Sequence, residues 1–124
     1  MSGKNSEIKE IKAKLIDNGM LSFYSDENMI TLRFVKARGM YTLIASLKNG
    51  YNIQKDELDR ILFMLNETQF AYTYLYDCEN KCLIVKTSLW AKKPIASRDI
   101  QEVVDEMVSV CKSLNAILKE TANG

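Results

Sequence analysis

Phe70-Ala71-Tyr72-Thr73-Tyr74-Leu75-Tyr76, then Asp77-Cys78-Glu79-Asn80, then Lys81-Cys82-Leu83-Ile84-Val85-Lys86-Thr87-Ser88-Leu89-Trp90 reads as a strand, a polar turn and a second strand. Placing Tyr76 opposite Lys81 puts Phe70, Tyr72 and Tyr74 on one face with Leu83, Val85 and Thr87. Side chains alternate with a period of two, so sliding the pairing by two residues leaves that partition intact. The tyrosines therefore turn toward a core instead of forming a wet stacking platform.

After this hairpin, Pro94 blocks an early helix start and Ser97 offers an N-cap for a long closing helix. Its apolar residues Ile100, Val104, Met107, Cys111, Leu114 and Leu118 alternate by four and three, with Val103, Val110 and Ile117 alongside. A stripe that wide predicts a helix buried along most of one side. The polar tail from Thr121 is expected to fray.

Upstream, a helix is expected over about residues 54–67, with Asp56 and Glu57 suiting the dipole at its start. Leu58, Ile61, Leu62 and Leu65 form its stripe, and Phe63 and Met64 are expected to widen it. Three strands precede it, Leu21–Tyr24, Met29–Val35 and Met40–Leu47, joined by turns at 25–28 and 36–39. Before them, Ile8, Ile11, Leu15 and Ile16 mark a short amphipathic helix that Asn18-Gly19 ends. The order is α-β-β-β-α-β-β-α. It predicts one α+β domain over residues 1–124, a five-stranded antiparallel sheet with helices packed on one face.

With Val35 opposite Met40, one sheet face collects Ile30, Leu32, Phe34, Tyr41, Leu43, Ala45 and Leu47. The other is mixed. It displays Tyr24, Met29, Val35, Met40, Ile44, Leu75, Ile84 and Trp90 among Ser, Thr, Arg and Lys. Methionine, tyrosine and tryptophan are types enriched at protein interfaces. Tyr24, Met29, Met40, Ile44, Leu75, Ile84 and Trp90 are accordingly the candidate partner-binding residues.

Residue chemistry argues against catalysis. The chain has no histidine, so Ser-His and Cys-His arrangements are excluded. The carboxylates Asp99, Glu102, Asp105 and Glu106 fall largely off the apolar stripe and read as a solvated face. Cys78 and Cys82 form a loose pair without the further ligands a tetrahedral zinc site wants, and Cys111 lies on the helix seam as a small hydrophobe. The scattered glycines make no phosphate loop. No catalytic residue, metal ligand or cofactor site is expected.

Seventeen basic and sixteen acidic residues leave the 124-residue chain near neutral, without the basic face that nucleic acid requires. The odd number of cysteines and the polar start Met1-Ser2-Gly3-Lys4-Asn5 fit a reduced, cytoplasmic protein without a signal or membrane anchor. A protein-interaction domain is the leading reading. The alternatives are a small-molecule binder or enzyme with a site between helices and sheet, and a nucleic-acid-binding regulator.

Leu15-Ile16-Asp17-Asn18-Gly19-Met20, followed by Ser22-Phe23-Tyr24, resembles the opening of YbjN-family bacterial proteins. Tyr51-Asn52-Ile53 entering the middle helix, and Phe70-Ala71-x-x-Tyr74-Leu75 before a polar turn, extend the resemblance over nearly the whole chain. The resemblance implies a type III secretion chaperone-like fold. It further implies a non-enzymatic, homodimeric, protein-binding or regulatory module of the kind described as sensory transduction regulators, with no ligand residues to carry over. Secretion chaperones are typically acidic, and the near-neutral charge departs from that pattern.

Overall fold

A computed structural model describes residues 19–26, 28–37, 40–69, 71–90 and 97–123. The expected leading helix, with Ile8, Ile11, Leu15 and Ile16, lies outside the described residues, as do Phe70 and Pro94. Three strands come first: β1 (Met20–Ser25), β2 (Asn28–Ala37) and β3 (Met40–Lys48). Helix α1 (Lys55–Thr68), β4 (Thr73–Asp77), β5 (Cys82–Trp90) and helix α2 (Ser97–Asn123) follow. The five strands form one antiparallel sheet in the order β1-β2-β3-β5-β4.

Both hairpins pair two residues away from the expected register. Ala37 stands opposite Met40, so Val35 faces Thr42. Asp77 stands opposite Cys82, and Tyr76 faces Leu83. A shift of two keeps every side chain on its expected face. Ile30, Leu32, Tyr41, Leu43, Ala45, Leu47, Tyr74, Leu83 and Val85 are buried on the inner side. There they meet Leu58, Ile61, Leu62 and Leu65 of α1 and Val104, Met107, Val108, Cys111, Leu114 and Leu118 of α2.

The second hairpin's turn is built around Asp77. Its carboxylate accepts from the Glu79 and Asn80 backbone N–H groups at 3.1 and 3.3 Å and from Asn80 Nδ2 at 2.8 Å. These donors, Asn80 first, hold the Asp77 carboxyl below its ordinary range. Lys81 then takes a left-handed conformation at φ 54°, closing the loop.

Two helix expectations need correction. Phe63 and Met64 do not widen the buried stripe of α1; they are 69% and 52% exposed. At 3.6 residues per turn they fall on the side opposite Leu58, Ile61, Leu62 and Leu65. The chain also stays helical past Thr121, whose hydroxyl donates to the Ile117 carbonyl at 2.8 Å.

Candidate partner-binding surface

The sheet's outer face is set by the register. Along successive rows Tyr24 stands beside Met29, Ser22 beside Thr31, Met20 beside Arg33, and Val35 beside Thr42. Farther across, Ile44 stands beside Lys86, Ser46 beside Ile84, Ile84 beside Leu75, and Met40 beside Trp90. Hydroxyl pairs knit neighbouring strands: Ser22 Oγ to Thr31 Oγ1 at 2.9 Å, and Thr42 Oγ1 to Ser88 Oγ at 3.2 Å. Such cross-strand contacts are the units that hold a wet sheet face in register.

The candidate residues therefore share one face but not one cluster. Tyr24 and Met29 lie at the β1 end, Leu75 and Ile84 at the β4 end, and Met40 next to Trp90 along β3 and β5. Ile44 is central, between Arg33 and Lys86. Tyr24 is 67% and Leu75 46% exposed, whereas Met29, Met40, Ile44 and Ile84 are half-buried. The Trp90 side chain lies outside the described residues. Met20, 56% exposed on β1, belongs to the same face and was not among the candidates.

The two sheet edges differ. At β4 the Asn66 side chain of α1 acts as a surrogate strand: its Nδ2 donates to the Tyr74 carbonyl, and Tyr74 N–H donates to its Oδ1, both at 2.9 Å. One residue pair earlier, Tyr72 N–H donates to the Gln69 carbonyl at 3.3 Å. Helix α1 thus closes that edge. At β1, Phe34 N–H donates to the Gly19 carbonyl at 2.9 Å, which makes the pairing of Gly19 with Phe34 a hydrogen-bonded one. Antiparallel alternation then turns the N–H and C=O groups of Met20, Ser22 and Tyr24 away from β2. Among the described residues nothing pairs with them. The strand carries no charge or proline of the sort that blunts an edge.

On the helix side, a cleft of about 200 Å³ opens between α1, β4 and α2. Leu65, Tyr74, Val110, Leu114 and Ile117 line it with Gln69, Glu106, Ser109 and Ser113. Ligand pockets usually hold roughly 300 Å³ or more. Here a single carboxylate, Glu106, borders the space and accepts a hydrogen bond from Tyr72. Burial first, then that bond, pushes the Tyr72 phenol well above its ordinary range. The Tyr74 hydroxyl donates to Gln69 Oε1. Both hydroxyls are engaged in holding the fold. Among the described residues no cluster of histidine, cysteine or carboxylate side chains is arranged to hold a metal.

With the surfaces defined, comparison with solved structures becomes informative. A chain in the crystal structure of the ExsC–ExsE complex superposes with a TM-score of 0.61 at 15% identity, over 95% of this chain and 96% of the other. ExsC is a type III secretion chaperone. The fold is type III secretion chaperone-like. At that identity the likeness concerns architecture alone. No protein-family model matches the chain, and neither does any curated protein. Among the described residues no helix is long and apolar enough to cross a membrane.

Proposed function

We propose that this chain is a non-enzymatic protein-binding module of YbjN type, with a chaperone-like or regulatory role in the cytoplasm, acting as a homodimer. The observation that carries the reading is the contrast between the sheet's two sides. One side is sealed by α1 and α2, while the other leaves Met20, Tyr24, Val35 and Leu75 exposed beside the edge of β1, whose outward backbone groups have no partner among the described residues. Backbone groups of an edge strand give an extended polypeptide affinity, and flanking apolar side chains give it selectivity. The architectural likeness to a chaperone solved in complex with another protein supports the same reading.

Affinity capture from native lysate tests the proposal, comparing the wild-type chain with Tyr24→Ala and Leu75→Ala. Stoichiometric capture of a defined polypeptide, weakened at least roughly tenfold by either change, is the expected result. Capture unaffected by both changes would move the surface to the helices. Failure to retain any stoichiometric polypeptide would overturn the reading.

A further inference from the structure

Charge divides unevenly between the two sides of the sheet. Helix α1 carries four acidic and two basic residues, and α2 five and three. The outward positions of the strands carry the opposite excess: Arg33, Lys48 and Lys86 against Asp77 alone. Asp77 and Lys48 flank Cys82 in one row at the end of the second hairpin, where the turn's donors already engage the carboxylate. Arg33 and Lys86 lie nearer the middle of the face, and among the described residues neither forms an ion pair.

A single row places these two cations. Met20, Arg33, Ile44, Lys86 and Thr73 stand side by side across all five strands. Neighbouring strands are about 4.8 Å apart, so the cations stand about 10 Å from each other with Ile44 midway. Arg33 is exposed, and Ile44 and Lys86 are half-buried. The next outward row sets Ile84 beside Leu75, which extends the apolar ground around the pair.

Two carboxylates that meet both cations must therefore be about 10 Å apart, with an apolar side chain between them. Same-face positions of an extended chain recur at about 6.8 and 13.6 Å, which miss that spacing. In an α-helix, positions i and i+7 are about 10.5 Å apart on one face, and i+3 and i+4 lie between them. We infer that the outer face takes an acidic amphipathic helix of the partner polypeptide, lying across the strands. Its carboxylates at i and i+7 meet Arg33 and Lys86, and an apolar residue at i+3 or i+4 covers Ile44. The outward backbone groups of β1 stay available to a flanking extended stretch of the same polypeptide. Phosphates of a nucleic acid would match the cations but would leave Met20, Ile84 and Leu75 facing a polyanion. The inference rests on the outer face being the partner surface, as proposed above, and supplies that partner's chemistry.

The probe is a synthetic alanine-based helical peptide with glutamate at i and i+7 and leucine at i+3 and i+4, titrated into the full chain by calorimetry at low and high salt. It is expected to bind at least roughly tenfold more tightly than the same peptide with glutamine at i and i+7, a preference that salt reduces. Arg33→Gln or Lys86→Gln alone should weaken binding several-fold, and the two together about tenfold. Arg33→Glu combined with Lys86→Glu should instead prefer a probe carrying lysine at i and i+7. These side chains point outward, so urea midpoints should stay near wild type and separate lost binding from lost folding. Equal binding of the glutamate and glutamine probes overturns the acidic chemistry. The outer face itself then still stands if Tyr24→Ala and Leu75→Ala weaken capture of a polypeptide. A proline-containing extended peptide of the same charges, bound as tightly, overturns the helix. Tighter binding of a single-stranded oligonucleotide than of the glutamate probe overturns the polypeptide partner. Wild-type self-association that Arg33→Gln abolishes also overturns the inference, because the occupant would then be the acidic helix side of a second copy.

Discussion

Asn28 and Asn115 are 87 residues apart in the chain and meet inside the protein, Asn28 Nδ2 donating to Asn115 Oδ1 at 3.0 Å. Both are buried. Asn115 Nδ2 in turn donates to the Ser25 carbonyl at 3.0 Å and to the Tyr51 hydroxyl at 3.2 Å, while Asn28 Nδ2 also reaches the Lys48 carbonyl at 2.6 Å. The network fastens α2 to the β1–β2 turn and to the end of β3. Just outside it, Lys119 and Asp26 approach to 3.9 Å.

Replacing Asn115 by Leu should therefore destabilise the protein by about 2–4 kcal/mol, because it leaves buried groups without partners where the size of the side chain hardly changes. Gly50→Ala should act on the same network from outside, since an added Cβ would lie 2.8 Å from Asn28 Oδ1. Urea unfolding measures both. A loss below about 0.5 kcal/mol for Asn115→Leu would mean the network is not what holds α2 in place.

This network also marks where sequence reading stops. The division of the sheet into two faces was legible because alternation survives a register error of two residues, as with Tyr76 meeting Leu83 instead of Lys81. The inward side of Tyr74 in the tyrosine hairpin was read correctly for the same reason, although the register was not. Asn115 was not legible: it interrupts the apolar row between Leu114 and Leu118, and only partners distant in sequence justify it. Phe63 and Met64 were misplaced because a run of hydrophobes in a helix does not say how wide the buried side is. That depends on α1 lying against the edge strand β4, a tertiary fact. Among the partner-binding candidates, the shared face was foreseeable from alternation, but their separation into corners depended on strand order.

The Asn66 cap makes a second prediction. Asn66→Ala removes both bonds to Tyr74 and exposes a flat edge, so stability should fall by about 1–3 kcal/mol. Amide exchange at Tyr74 should accelerate beyond what the change in global stability explains. Increased aggregation at high concentration is the accompanying sign. Unchanged exchange at Tyr74 would show that the edge is protected by something other than this carboxamide.

Alkaline pH should weaken the fold through groups that are buried neutral. Burial pushes the Cys111 thiol from 9.0 up to about 12, and burial likewise raises Tyr72 and Tyr74 above 10.0. Each group releases its proton more readily when unfolded, so its contribution is intact below the unfolded value and is lost as pH rises toward the folded one. Stability should be flat in this respect at neutral pH and decline from about pH 9 upward, by an amount on the order of a few kcal/mol by pH 12. Cys111→Val removes the thiol and should flatten the first part of that decline, read from thermal midpoints between neutral and alkaline buffers. The same burial predicts that a thiol reagent labels the exposed Cys78 first, half-buried Cys82 more slowly, and Cys111 only on unfolding. Prompt labelling of all three would contradict the burial of Cys111.

Leucines on the two sheet faces should respond oppositely to truncation. Leu83 is fully buried on β5, packed into the cluster shared with α1 and α2, whereas Leu75 on the adjacent β4 is 46% exposed on the outer side. Leu83→Ala leaves a cavity in a close-packed core and should cost about 2–5 kcal/mol. Leu75→Ala removes little buried area and should change stability by no more than about 0.5 kcal/mol. Its effect belongs to binding instead, since a partner covering the outer face would bury that side chain for the first time. Unfolding measurements on the two variants, with capture assays on the second, separate the roles. If Leu75→Ala proved as destabilising as Leu83→Ala, the outer face would already be covered within the protein alone, and its assignment as the partner surface would have to be abandoned.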